Sequence, residues 1–170
     1  MAALIREELP GDRQEIRAVN VEAFGQEAEA DLVDLPRTNG KLLLSLVALD
    51  RGPILGHIAY SPVTLHGPAR TLNAVGLGPM AVLPALQRTG IGSALINESH
   101  RRLQGEGRNF VVVLGHPDYY PRFGFRRASD FNVRWERDCP DEASMLLELR
   151  QGSVPPQGGI ITYGPEFSCV

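Results

Sequence analysis

The sequence predicts an α/β (α+β) fold, a single domain over residues 1–170 in which helices flank one mixed sheet. Three observations predict it. Apolar residues recur at helical spacing at Ile16, Val19, Ala23 and Phe24, and again at Ile91, Leu95, Ile96 and Leu103. Several short runs dense in Leu, Val and Ile are bounded by Gly and Pro, and one of them, Phe110–Leu114, is continuous enough for a strand buried on both faces. The length of 170 residues, 43% of them hydrophobic and 22% charged, is that of one ordinary domain able to build its own core.

Taken in order, residues 3–7 form a first strand, ended by Pro10 and Gly11. Asp12 and Glu15 make a start resembling a capping box for a helix through Phe24, which Gly25 interrupts. A second short helix covers residues 26–35, with Ala28, Leu32 and Leu35 on one face, and Pro36 closes it. Residues 41–50 read as a strand, 51–53 as a turn, and 54–65 as the hairpin partner, with His57 and Ser61 inside it. A third strand, 73–82, carries Gly76, Gly78 and Pro79, which inside a strand signal a bulge or a close approach to the backbone. Residues 90–103 form a helix ended by Gly105 and Gly107. After the strand Phe110–Leu114, residues 117–123 hold one or two helical turns, 144–149 a strand, 151–159 a Gly/Pro loop and 160–163 a last strand. The order is β-α-α-β-β-β-α-β-α-β-β, with no internal repeat and no linker long enough to divide domains.

Net charge is −3 and the isoelectric point about 5.8, which argues against a nucleic-acid binder working through a basic face. No apolar run approaches the roughly 18 residues of a membrane span, and the N-terminus turns acidic before a signal segment could form. Neither nucleic acid nor membrane is therefore an expected partner. Cys139 and Cys169 lack CxxC or Cys/His spacing, so the expectation is no metal and two reduced thiols in a cytoplasmic protein. Lys41 is the single lysine beside sixteen arginines.

The most informative stretch joins the third strand to the following helix: Gln87-Arg88-Thr89-Gly90-Ile91-Gly92-Ser93. The first N–H groups of a helix have no internal partner, and with the helix dipole they favour an anion such as a phosphate. Glycines there let oxygen atoms approach the backbone. Arg88 and Thr89 add a charge and a hydroxyl. A Walker A loop would need Gly-Lys-Ser/Thr, and no lysine is present; a dinucleotide fingerprint would need a third glycine where Leu95 stands. The pattern Q/R-x-x-G-x-G/A fits at every fixed position.

With that turn the chain resembles the GNAT superfamily of N-acetyltransferases, over nearly its whole length. A second motif agrees: Tyr120-Pro121-Arg122-Phe123-Gly124-Phe125 has the family's Y-x-x-x-G-F spacing. The resemblance implies a mostly antiparallel central sheet and a pyrophosphate loop for acetyl-coenzyme A at residues 87–93. It also implies pantetheine pairing with the backbone of Met80, Ala81 and Val82, one N–H of which would hold the developing oxyanion. Two departures stand out. His116-Pro117-Asp118 occupies the segment where the family has an asparagine, and residues 73–82 contain no Asp or Glu where an acidic residue is frequent.

What the resemblance further implies is direct attack of an amine on the thioester. Tyr120 is the family-matched acid for the departing thiolate, with Tyr119 the competing position. His116 is a candidate base because its ordinary pKa suits neutrality, although ordered water could serve instead. Glu27, Glu29 and His57 are candidate acceptor-side residues. The expected partner is a small-molecule or peptide amine, and a strand-rich C-terminus leaves room for a homodimer formed by sheet contact. Two other classes compete: a non-catalytic acyl-coenzyme A sensor of the same fold, and a dinucleotide-dependent oxidoreductase.

Overall fold

The chain folds, in a computed structural model that describes residues 2–167, into nine strands and three α-helices among those residues. They are β1 (Leu4–Glu7), α1 (Arg13–Phe24), α2 (Ala28–Thr38), β2 (Leu44–Leu49), β3 (Ile54–His66), β4 (Thr71–Val82), α3 (Ile91–Gly105), β5 (Phe110–Leu114), β6 (Arg126–Arg127), β7 (Val133–Trp135), β8 (Ser144–Glu148) and β9 (Gly159–Tyr163). The strand order is β1-β2-β3-β4-β5-β8-β6, with β9 beside β3 and β7 beside β9. The pairs β4–β5 and β7–β9 are parallel, whereas β1–β2, β2–β3, β3–β9, β5–β8 and β6–β8 are antiparallel. This is the mixed, mostly antiparallel sheet the sequence leads one to expect. The described residues group into two compact units, one of residues 2–61 and Gly78–Arg101, the other of Pro62–Leu77 and residues 102–167. No helix among the described residues is long and apolar enough to cross a membrane.

In the first unit, β2 is buried at every residue, as is β3 from Ile54 to Ser61. Both are covered on two faces, which is why they read as near-continuous apolar runs. Ile16 and Val19 of α1 and Val33 of α2 pack with Val47, Leu49, Ile54, Ala59 and Ala81 in one cluster. Gly25, left-handed at φ 71°, ends α1 by donating its N–H to the Val21 carbonyl. Asp12 does stand at the N-cap of α1, yet its carboxylate does not cap. It accepts instead from the Leu9 N–H and from Arg6, while Glu15 accepts from the Ile54 N–H at 2.7 Å and ties α1 to β3. Pro36 lies inside α2, not at its end. Its ring is buried, and the N–H groups of Asn39, Gly40 and Lys41 still reach the Leu35, Arg37 and Pro36 carbonyls, so the last turn survives the missing donor.

A chain of polar groups runs through this unit. Asn20, fully buried on α1, donates to the Ile16 carbonyl and to His57 Nδ1 at 3.2 Å. An amide nitrogen can only donate, so Nδ1 accepts and the proton sits on Nε2. Nε2 donates to Ser45 Oγ at 2.8 Å, and the Ser45 hydroxyl donates to Glu8. Arg37 grips both Glu8 oxygens, through Nε at 2.7 Å and Nη2 at 2.9 Å, and also reaches Asp34. Burial would raise the Glu8 pKa, but the Arg37 and Ser45 hydrogen bonds outweigh it and the carboxyl is held below its usual range. Burial pushes His57 down to about 4, and does the same to His100. Asp34 shares its other oxygen with Arg17, which also reaches Asp31.

The missing side chain at Gly56 sets how α3 meets β3. A Cβ there would lie 3.0 Å from Ile91 Cγ2, 3.1 Å from the Ala81 carbonyl oxygen and 3.2 Å from Leu95 Cδ1. The first turn of α3 therefore rests directly on the β3 backbone.

In the second unit, β4 and β5 pair at Val75–Val111 and Gly76–Val112, and β5 pairs along its whole length with β8. Phe110, Val112, Leu146, Val133 and Ile161 form its core with Val63 and Leu65. The short strands β6 and β7 have no apolar run to announce them and are additions to the expected order. Trp135 of β7 meets Tyr163 edge-on at 5.5 Å, and its indole N–H is buried without a hydrogen-bond partner. Cys139 is a free thiol, and Cys169 lies outside the described residues.

Two predictions follow from these contacts. Replacing Gly56 by Val drives a branched side chain into Ile91, Leu95 and the Ala81 carbonyl, and should lower unfolding stability by about 1–3 kcal/mol in urea titrations. Unchanged stability would show that α3 can lift off β3 freely. The second concerns acid. A histidine whose folded pKa lies below its unfolded value binds fewer protons folded than unfolded, so stability falls as pH drops from roughly 6.5 toward 4, on the order of 1 kcal/mol per pH unit for each such group. Glu8, whose folded pKa is lowered by Arg37 and Ser45, adds to the loss in the same direction once pH falls into the ordinary carboxylate range. Denaturant titrations at pH 7 and 5 should show the loss, and His57→Gln should remove part of the slope.

Candidate active site

The strand-to-helix turn after β4 is built from local constraints. A short 3₁₀ turn, Pro84–Leu86, follows Leu83, and Gln87 is extended with its side chain donating back to the Val82 carbonyl at 3.2 Å. Arg88 is left-handed at φ 64°, an unusual conformation for a residue with a side chain, and Gly90 follows at φ 95°. Thr89 Oγ1 braces the turn on the Leu86 carbonyl at 2.5 Å. The Gly90 carbonyl accepts from Ala94 N–H at 3.0 Å, opening the helical ladder. By helix geometry, the N–H groups of Ile91, Gly92 and Ser93 then lack a carbonyl one turn back. Ile91 is buried and anchors this start, while Arg88, Thr89 and Gly90 are exposed. A Cβ on Gly90 would meet nothing, so the space over the helix start is open. The arrangement can hold a phosphate or pyrophosphate group by backbone donors, with Arg88 as the adjacent cation. Of the preceding residues on β4, Ala81 is buried and Met80 and Val82 are half-buried.

The second unit carries the tyrosine motif. After β5 the His116 carbonyl accepts from the Tyr119 and Tyr120 N–H groups, starting a short 3₁₀ turn, Tyr120–Phe123. Gly124, left-handed at φ 92°, reverses the chain, and Phe125 returns to meet the Tyr120 ring edge-on at 5.5 Å. That reversal is the physical content of the Y-x-x-x-G-F spacing. Tyr120 is buried, and burial first, then Tyr119, raises its pKa. The phenol is therefore fully protonated at neutral pH. Tyr119 is half-buried with the Arg122 guanidinium 4.5 Å from its ring centre. The two tyrosines face different surroundings, as an offset of one residue requires.

The remaining candidates are placed as follows. His116 is exposed, and its backbone carbonyl serves the turn. Glu27 is exposed and pairs with Arg17 at 3.4 Å; Glu29 accepts from Gln26 at 3.0 and 3.1 Å. His57 is fully buried with both ring nitrogens engaged, so its polar atoms serve the fold's interior. Ser45, His57 and Glu8 include the residue types of a hydrolytic triad in the wrong order. The hydroxyl lies between the imidazole and the carboxylate, and Nε2 donates to it, so the imidazole is not placed to take its proton. No group of three or more His, Cys, Asp or Glu among the described residues could hold a metal ion. Two positions carry no motif in the sequence: Gly56 beneath the helix start and Gly115 beside Tyr120. The only available signal was a glycine within or just after an apolar strand.

Comparison with known proteins bears on these features. A model of the acetyltransferase (GNAT) domain matches residues 5–128. The uncharacterized N-acetyltransferase YhbS of Escherichia coli (strain K12) is 34% identical over 166 residues, which is 97% of this chain and 98% of that protein. The crystal structure of the Escherichia coli YhbS protein in complex with CoA superposes with a TM-score of 0.92, covering 98% of this chain and 92% of the other. A GNAT family acetyltransferase from Brucella melitensis, in complex with acetyl-CoA, is 37% identical with a TM-score of 0.80 and 98% coverage of both chains. Matched by the family over most of its length and by two relatives nearly end to end, the chain belongs to the GNAT acetyltransferase family.

Proposed function

We propose that this protein transfers an acetyl group from acetyl-coenzyme A to a primary amine of a small molecule or peptide by direct attack on the thioester. The observation that carries this reading is the helix start at residues 90–93, open above Gly90, whose unpaired N–H directions and neighbouring Arg88 suit a pyrophosphate. It is supported by two relatives of the same fold crystallised with CoA and acetyl-CoA. Gln87, Arg88, Thr89, Gly90, Ile91, Gly92 and Ser93 would hold the pyrophosphate. The backbone of Met80, Ala81 and Val82 would pair with the pantetheine arm, and an N–H among them would face the carbonyl oxygen as negative charge develops there.

The amine nitrogen forms a bond to the acetyl carbon, and the carbon–sulfur bond breaks. Tyr120 gives its phenolic proton to the departing sulfur. The ammonium proton goes to His116 or to water, and the phenol is reprotonated from solvent. Burial keeps the Tyr120 phenol protonated at neutral pH, and because it also raises the pKa the proton is given less readily, which places its effect at the low end of general-acid catalysis.

With coenzyme A binding as the readout, replacing Gly92 by Val should obstruct the pyrophosphate and weaken acetyl-coenzyme A at least tenfold, about 1.4 kcal/mol, in calorimetry on a folded protein. Undiminished binding would remove the loop assignment. Screening amines at fixed acetyl-coenzyme A, with thiol release measured, should find at least one acceptor; tight binding without any turnover would favour the sensor instead. With an accepted amine, Tyr120→Phe should lower turnover about 10²-fold, while cofactor affinity changes little and Tyr119→Phe stays within a few fold. A crippled Tyr119→Phe variant would place the acid one residue earlier.

A further inference from the structure

We propose that Gly115 is a positioning residue for Tyr120, setting where the phenolic hydroxyl stands by withholding a side chain from the place the ring occupies. The inference rests on the reading of Tyr120 as the acid. Gly115 follows the last residue of β5 and extends the ladder beside β8, its N–H donating to the Ala143 carbonyl at 3.0 Å. A Cβ built on it would lie 2.3 Å from Cε2, 2.9 Å from Cδ2 and 3.3 Å from Cζ of Tyr120. The whole ring edge leading to the hydroxyl-bearing carbon thus lies against the Gly115 backbone. Gly115 is not among the residues with positive φ, so any residue could adopt its backbone conformation. The glycine is demanded by the ring and not by the turn.

Nor can the ring step aside cheaply. It has two side-chain torsions and is met edge-on by Phe125 at 5.5 Å and by Tyr119 at 5.2 Å. The backbone beneath it is closed by the hydrogen bonds of the Tyr119 and Tyr120 N–H groups to His116. A methyl group at position 115 must therefore rotate or displace the ring, and the hydroxyl moves with it. Proton transfer to a departing sulfur is sensitive to displacements of this size, since a catalytic geometry about 1 Å out of place can lose on the order of 10²-fold in rate.

The experiment is a double-mutant cycle on the full chain, with turnover at saturating acetyl-coenzyme A and an accepted amine, and melting temperature measured in parallel. Gly115→Ala alone should lower kcat at least tenfold with the KM for acetyl-coenzyme A within twofold. Added to Tyr120→Phe, it should change kcat less than twofold, because the hydroxyl it misplaces is already gone. The melting temperature should fall alike in both backgrounds, since tyrosine and phenylalanine present the same ring edge. Equal slowing by Gly115→Ala in both backgrounds, or no slowing with Tyr120 in place, overturns the proposal. Full turnover by Tyr120→Phe refutes the acid itself, a separate failure that takes this role of Gly115 with it. Where Gly115→Ala alone is too unstable to assay, adding Tyr120→Leu removes the ring and should restore the fold. Failure to restore it means the methyl meets something other than the ring, and the proposal falls.

Discussion

The first turn of α3 can lie on β3 only because Gly56 has no side chain. Everything the turn presents to solvent follows from that approach. Ile91 is pressed into the interior, Gly90 is held at the helix start, and the three N–H groups after it are aimed from a rigid base. Interiors are packed densely enough that one extra carbon atom is felt. Seating the Ile91 and Leu95 side chains directly on a strand backbone leaves the helix start little room to shift. Orientation of donors before a ligand arrives lowers the cost of binding, because little ordering remains to be done.

A second kind of constraint operates behind it. The first unit encloses a histidine, an asparagine and a serine at almost no exposure, and every link between them and the surface carries a hydrogen bond. Glu8 is the carboxylate that meets Ser45, and Arg37 covers both of its oxygens. The fork of a guanidinium matches a carboxylate in a way an ammonium cannot. Breaking such a chain at one link strands a polar group away from water, which costs more than the link itself contributes. The network thus joins β1, α1, α2, β2 and β3 as a set, and it does so without offering a reactive group to solvent.

Much of this was legible in the residues. The Gln87–Ser93 turn and the Y-x-x-x-G-F motif declare themselves because each carries glycine at a fixed offset from a polar group, and such offsets survive in a linear string. The core strands announce themselves by apolar content. Pro36 misleads because a proline two residues before a helix end can be absorbed when later donors cover the remaining carbonyls. Asp12 and Glu15 have the spacing of a capping pair, but a nearer cation and a strand N–H compete for the same carboxylates. Gly115 and Gly56 look like ordinary glycines near strand ends. Their purpose depends on a ring five residues away and on a helix thirty-five residues away, which only the folded chain brings close. Strands β6 and β7 are two and three residues long and borrow their definition from neighbours.

Trp135 is the single tryptophan of the chain, and it belongs wholly to the second unit, edge-on to Tyr163. Its emission is a built-in reporter of that unit alone. Backbone dichroism, by contrast, draws on both units. Superimposed melting curves from the two signals would mean that the units unfold as one cooperative body; separated curves would give the order in which they come apart. The molecule therefore carries, without any label, the means to determine whether loosening around the buried histidine is felt at the tyrosine.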